Sequence, residues 1–256
     1  MTEIVAIVNQ KGGVGKTTTA WNLGVVLTQQ GYRVLLIDLD AQGGLTAFLG
    51  LDPYQSERSS YSLLMFEQVS LTRTMHMFGS GLALVPGSID LATAAVKMTQ
   101  EEQPLDRLRR VLRSSRVKFD YVFIDTPPTL DVITATSLIA ASGVIIPTQT
   151  HYLALLGIRN ILDTMTRIHQ FRNPDLRLLG ALATMYDPKA AHAQSILAEM
   201  HAVLPGRVFQ TVIPYDPQVV DAPHSGKSLM EYAPTSPAAL AYRALAGELT
   251  SMTNHE

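Results

Sequence analysis

The chain has 256 residues, 46% of them apolar, with 20 Lys and Arg against 22 Asp and Glu and no cysteine. Without cysteine there can be no disulfide, thiolate metal site, iron–sulfur cluster or cysteine nucleophile, and a net charge of −2 with a pI near 6.4 argues against a dedicated, strongly basic nucleic-acid binder, although a local patch on a dimer could still hold DNA. No apolar run approaches the ~18 residues that span a bilayer, and Met1-Thr2-Glu3-Ile4 lacks a basic segment followed by an apolar signal core, so a cytoplasmic protein without membrane attachment is expected, folded as a single domain over residues 1–256.

In chain order, the first apolar run is Ile4–Val8, a predicted buried strand, and a helix is predicted over Thr17–Gln30. Between them stands Lys11-Gly12-Gly13-Val14-Gly15-Lys16-Thr17-Thr18, a phosphate cradle. Its glycines let backbone N–H groups converge on a polyphosphate, the new helix aims its positive end at the anion, Lys16 adds a point charge and Thr17 offers a hydroxyl to Mg²⁺. The usual pattern G-x-x-x-x-G-K-[ST] would place glycine at 10, where this chain has Gln10 with a second lysine, Lys11, beside it.

The next predicted strand, Val34–Ile37, runs into Asp38-Leu39-Asp40-Ala41-Gln42 and delivers two carboxylates to the carboxyl edge of a sheet, where ligands of open α/β folds bind. Period-two spacing predicts Asp38 and Asp40 on one side. The stretch from Gly50 to Ser80 is the least periodic and reads as short helices and loops. Further strands are predicted at Leu82–Val85, Tyr121–Ile124, Val144–Ile146, Leu178–Ala183 and Val208–Ile213, alternating with helices near Ile89–Thr99, Pro104–Ser115, Val132–Ala141, Leu155–Phe171, Ala191–Val203 and Pro237–Thr250. That alternation predicts an α/β fold, a mostly parallel twisted sheet with helices on both faces, which the Lys11–Thr18 cradle makes one of the P-loop NTPase kind. Four apolar residues closed by Asp125 form a Walker B strand whose carboxylate is placed for Mg²⁺, and Pro127-Pro128 stiffen the loop that follows.

These motifs resemble the ParA/MinD group of P-loop ATPases, whose deviant cradle reads K-G-G-x-G-K-[ST]. Further similarity lies in Ile146-Pro147-Thr148-Gln149 with Ala154-Leu155-Leu156-Gly157, and in Val212-Ile213-Pro214 with Asp221-Ala222-Pro223-His224-Ser225-Gly226-Lys227. The resemblance implies an ATPase using ATP and Mg²⁺, with two ATP molecules sandwiched in a homodimer. It implies that Lys11 reaches the partner's nucleotide, that Lys16 holds phosphate and that Asp40 orients or deprotonates the attacking water. Nucleotide contacts are then expected from Lys11, Gly12, Gly13, Val14, Gly15, Lys16, Thr17 and Thr18, with adenine held by backbone around Met185 and Pro214, and Mg²⁺ by Thr17, Asp40 and Asp125.

Within the group, Ala244 to Glu256 contains two Glu and no Lys or Arg, unlike the basic membrane helix of the MinD branch. The closing segment from Pro237 instead resembles ParA/Soj chromosome or plasmid partition ATPases of the short type, since the first strand starts at residue 4. For that branch the resemblance implies non-specific DNA binding by the ATP dimer, nucleoid association, and a ParB-type activator. The family's D-x-R is here Asp187-Pro188-Lys189, and its I-P-R-N-V-R is Ile213-Pro214-Tyr215-Asp216-Pro217-Gln218, so the candidate DNA contacts are Lys189, Arg207, Lys227 and Arg243. Two alternatives remain open: a ParA-like positioning ATPase for a protein cargo such as a chemoreceptor array, microcompartment or flagellar pole, and a small-molecule ligase or synthetase of the superfamily.

Overall fold

A computed structural model describes residues 2–55, 57–100, 105–150 and 154–253. Among them seven strands form one sheet: β1 (Glu3–Ile7), β2 (Val34–Asp38), β3 (His76–Phe78), β4 (Leu82–Val85), β5 (Tyr121–Asp125), β6 (Gly143–Gln149) and β7 (Arg177–Thr184), in the spatial order β3-β4-β2-β5-β1-β6-β7. Every neighbouring pair is parallel except β3 with β4. The helices, in chain order, are α1 (Lys16–Gln29), α2 (Gly44–Phe48), α3 (Ser60–Met65), α4 (Leu71–Thr74), α5 (Leu91–Gln100), α6 (Arg107–Ser114), α7 (Val132–Ala140), α8 (Ala154–Phe171), α9 (Ala191–Val203), α10 (Gln218–His224), α11 (Leu229–Tyr232) and α12 (Pro237–Thr253).

The central strands read as continuous apolar runs because both of their faces are buried. Val5, Ile7, Leu36 and Phe123 pack on one side against Leu23 and Leu27 of α1 and Tyr242, Leu245 and Leu249 of α12. Ala6 and Val144 face the other side with Leu138 of α7 and Ile161 of α8, while Leu35, Ile37, Val122 and Ile124 pack there with Leu63 of α3 and Leu108 of α6. The period-two alternation thus splits each strand between two cores. The closing helix α12 lies on the first of them, and no helix among the described residues is long and apolar enough to cross a membrane.

Two expectations need correction. Val208–Ile213 is not a continuous strand: it meets β7 at intervals, Phe209 donating to the Ala181 carbonyl and Ile213 to the Ala183 carbonyl, with isolated bridges of Ala181 to Val208 and, just beyond, of Tyr186 to Pro214. The ladder is interrupted between Phe209 and Ile213, where the Glu248 carboxylate of α12 accepts the Gln210 and Thr211 N–H groups at 2.7 and 3.1 Å, and of these the Thr211 N–H is the one that strand alternation would have turned towards β7. Conversely β3, unforeseen within the aperiodic stretch, is a three-residue antiparallel edge strand with His76 and Met77 exposed, so it carries no buried alternation to detect. The short helices expected there appear as α3 and α4. The helix expected to start at Pro104, a residue outside those described, runs over Arg107–Ser114.

β2 ends at Asp38, and the way its carboxylate is used fixes the neighbouring loops. Asp38 Oδ2 accepts from the Thr46 N–H at 2.9 Å and the Thr46 hydroxyl at 2.6 Å, while Oδ1 accepts the Asp40 N–H at 3.1 Å. The Thr46 oxygen accepts in turn from the Gly87 N–H at 2.7 Å, and the Ser60 hydroxyl donates to the Asp38 carbonyl at 2.6 Å. A Cβ on Gly87 would stand 2.9 Å from the Asp38 carboxyl carbon, so only glycine passes there. Asp38, through its carboxylate, its carbonyl and its partner Thr46, therefore joins β2, α2, α3 and the turn after β4. Complete burial raises the Asp38 pKa to about 6 in spite of these bonds. Thr46→Val leaves both the Gly87 N–H and one bond to a buried carboxylate unmade, and an expected loss of about 1–3 kcal/mol follows from such orphaned groups. Chemical denaturation of the nucleotide-free protein checks it; unchanged stability would show that the network holds nothing together.

Candidate functional site

The segment between β1 and α1 turns at two left-handed glycines, Gly13 at φ 71° and Gly15 at φ 90°. Gly15 is the residue before the helix, so α1 starts at Lys16 with its first N–H groups turned towards the loop. Polar side chains tie this loop, and the end of β1 that feeds it, to the carboxyl ends of three other strands. Asn9 donates from Nδ2 to the Pro147 carbonyl of β6 at 2.7 Å and accepts the Lys11 N–H on Oδ1 at 2.9 Å. The Thr184 hydroxyl of β7 donates to the Val14 carbonyl at 2.9 Å, and Thr126, following β5, donates to the Ile7 carbonyl at 2.8 Å. Reading the sequence singled out none of Asn9, Thr126 and Thr184; the available signal was a hydrogen-bonding residue directly after, or closing, each buried apolar run.

Charge is concentrated beside this loop. Lys16 is 6% exposed and donates to the Lys11 carbonyl at 3.3 Å, curling back over the cradle. Burial lowers its pKa while Asp125 and Asp40 oppose that shift. Asp125, wholly buried, accepts the Thr17 hydroxyl on Oδ2 at 2.7 Å, whereas its Oδ1 is a buried oxygen with no partner. Burial, then the charge of Asp38, holds the Asp125 carboxyl well above the usual carboxylate range, against the Thr17 hydrogen bond and Lys16. Asp40 lies beyond the last residue of β2, so a loop places it rather than the strand's alternation: its carboxylate accepts the Gln42 N–H at 2.9 Å and is near enough for its charge to act on Lys16, Asp38 and Asp125. An unpartnered carboxylate oxygen beside a threonine hydroxyl is a set of hard oxygen donors, and it fits Mg²⁺ completed by water and phosphate oxygens.

Around this core the structure collects some predicted residues and scatters others. Lys11 is exposed, its Nζ donating to Gln149 Oε1 at the end of β6 at 3.0 Å. Gly12 has open space where a Cβ would stand. Met185 follows β7 at φ 51°, the one left-handed non-glycine residue among those described, and the adjacent Tyr186 bridges Pro214, so Met185 and Pro214 meet at the same sheet edge as the cradle. The four candidate DNA contacts do not form one patch. Lys189 stands beyond the carboxyl end of β7, whereas Arg207 donates to the Leu178 carbonyl near the other end at 3.0 Å, a separation of roughly 20 Å along the strand. Arg243 is spent on the Pro234 carbonyl, and Lys227 is an exposed residue after α10.

Known proteins share both the sequence and the architecture. The family described as an AAA domain matches residues 2–178. The chromosome-partitioning ATPase Soj of Thermus thermophilus is 43% identical over 245 residues, covering 96% of this chain and 94% of the relative. The chromosome partitioning protein ParA of Caulobacter vibrioides is 36% identical over 250 residues, 97% of this chain and 94% of the relative. A solved structure described as cobyrinic acid a,c-diamide synthase from Mycobacterium smegmatis, with bound ATP analogue and magnesium, is 36% identical and superposes with a TM-score of 0.86 over 100% of this chain and 98% of that one. With the deviant cradle, the two following Asp motifs and near full-length likeness to Soj and ParA all present in one parallel sheet, the chain belongs to the ParA/Soj family of P-loop ATPases, within the AAA-domain group.

Proposed function

We propose that this chain is a cytoplasmic ATPase of DNA partition, in which Mg-ATP drives a sandwich homodimer that holds nucleoid DNA non-specifically, and a ParB-type partner stimulates hydrolysis and release. The observation that carries the reading is the buried, unpartnered Oδ1 of Asp125 between Lys16, Thr17 and Asp40, at the mouth of a glycine cradle. Loop N–H groups from Gly12 to Thr18 and the Lys16 ammonium bind the phosphates, while Met185 and Pro214 border the base. Thr17, Asp40 and Asp125 would hold Mg²⁺, which supplies neutralising charge to the phosphate oxygens. Asp40, anchored by the Gln42 N–H and not buried, orients a water and draws its proton. Likeness to Soj and ParA over nearly the whole chain supports the partition role. The likeness to the Mycobacterium smegmatis synthase supports a second reading, ATP-driven activation of a small molecule; turnover demanding a small co-substrate and indifferent to DNA would favour it. ATP-driven dimerisation with no DNA retention at low salt would favour a protein cargo.

Two variants separate binding from chemistry. Lys16→Ala should lose nucleotide affinity, because the cradle loses its only buried cation. Asp40→Ala should bind ATP normally and accumulate as an ATP dimer, with turnover reduced about 100-fold or more, as expected for loss of water activation. Calorimetry and phosphate release distinguish them, and wild-type turnover in the Asp40 variant removes its catalytic role.

A third prediction concerns assembly. In the single chain Lys11 is held by Gln149, so reaching a partner's nucleotide requires it to leave that amide. Lys11→Ala should bind ATP as a monomer. Gly12→Val should behave alike, since a Cβ there meets nothing within the subunit and the branched side chain occupies space that a second copy would approach. Sedimentation in saturating ATP is the measurement; a dimer of ordinary stability in either variant would refute the trans arrangement.

A further inference from the structure

Residues 107–118, Arg-Leu-Arg-Arg-Val-Leu-Arg-Ser-Ser-Arg-Val-Lys, contain six cations and no acid, in a chain whose net charge is −2, so the remainder carries −8. Leu108 and Val111 anchor the inner face of α6, and the buried Arg107 donates to the carbonyls of Leu63, at 3.0 Å, and Phe66. At 100° per residue Arg109, Arg110 and Arg113 share an arc of about 100° on the outer face. Acids reach only part of this array: Arg110 meets Asp106 at 3.4 Å and Glu67 at 3.8 Å, with Arg107 at 3.9 Å from the same Glu67. Arg109 donates to the Arg172 carbonyl at 2.9 Å. Among the described residues Arg113, Arg116 and Lys118 make no ion pair. Beside the stripe lies an open crevice of about 560 Å³, lined by Arg107, Arg110 and Arg116, by four serine and threonine hydroxyls, and by one carboxylate, Glu67.

We propose that the outer face of α6, with Arg116, Lys118 and this crevice, is a phosphate-binding surface that takes the sugar-phosphate backbone of duplex DNA. Five of the six cations are arginine, whose planar fork matches phosphate oxygens two at a time. A small anion in the crevice would leave Arg109 and Arg113 unused; a backbone running along the helix engages both groups. The surface also lies away from the nucleotide. Arg116 and Lys118 precede the first residue of β5, while the cradle sits at that strand's far end beside Asp125, so two subunits joined across their nucleotides leave both copies open. This placement rests on the partition reading above, and it explains ATP dependence without any change in the surface: a single copy holds DNA weakly, and dimerisation makes the second contact intramolecular.

The test compares wild type, Arg113→Glu/Arg116→Glu, Arg113→Lys/Arg116→Lys and Lys189→Glu for retention on duplexes of several sequences, with ATP, across salt. Retention on phosphatidylglycerol vesicles is measured alongside, and ATP-driven sedimentation confirms that each variant assembles. The Glu pair should weaken DNA binding about tenfold or more on every sequence alike, and should lower the slope of log K against log salt by about 0.9 for each phosphate that is no longer neutralised. The Lys pair should retain most of the affinity, and Lys189→Glu should change it less than the Glu pair does. Normal affinity and slope in a Glu-pair dimer, with wild type binding DNA, overturns the α6 surface and leaves the partition reading standing. Loss of vesicle retention alone likewise overturns it. A wild-type ATP dimer that ignores DNA at low salt instead removes the partition reading, and the surface with it.

Discussion

Lys16 and Asp125 are held out of water together, and the carboxyl edge of the sheet is organised around that fact. Removing one charge from water is costly, and removing two is tolerable only when they face each other and their remaining polar atoms are paired. Here the pairing is incomplete. Three carboxylates, Asp38, Asp40 and Asp125, stand within electrostatic reach of each other, and only one cation answers them. The site is therefore poorly compensated by its own side chains, which is the condition under which a phosphate-bound cation gains most from entering.

Such an arrangement survives only if the surrounding backbone cannot relax around it. The cradle and the end of β1 leading into it are tied by Asn9, Thr126 and Thr184 to three other strands, so its N–H groups cannot collapse onto nearby carbonyls. Asp38 accepts three hydrogen bonds from Thr46 and Asp40 and is wholly buried, which makes it a fixed post for the loop carrying Asp40 rather than a second reactive acid. Sequence spacing treats Asp38 and Asp40 as equivalents on one face; burial separates a framework role from an accessible one.

What was legible in the sequence follows from the same physics. Strands β1, β2 and β5 were readable because both faces are dry, and the cradle because its chemistry needs glycine and lysine at fixed positions. Asn9 and Thr184 were not, since a single polar residue after an apolar run has no spacing to mark it. The run at Val208–Ile213 has a strand's composition, and the carboxylate of Glu248, distant in the sequence, takes the Thr211 N–H that would have continued its ladder. The left-handed backbone of Met185 has no mark in the sequence. The cations of α6 escaped notice because a net charge of −2 averages them against acids placed elsewhere.

The diversion of Gln210 and Thr211 to Glu248 also bears on solubility. β7 is an eight-residue strand at the margin of the sheet, the kind of margin that recruits strands from other molecules. Residues 207–215 lie along it and pair at intervals, through Ala181, Ala183 and Tyr186, which occupies that margin. Because Glu248 withholds two N–H groups, this cover does not itself become an eighth strand with a fresh row of unpaired groups facing outwards. The opposite margin, β3, is only three residues long. Both ends of the sheet are thereby blunted against edge-to-edge aggregation, one by brevity and the other by a carboxylate on the closing helix.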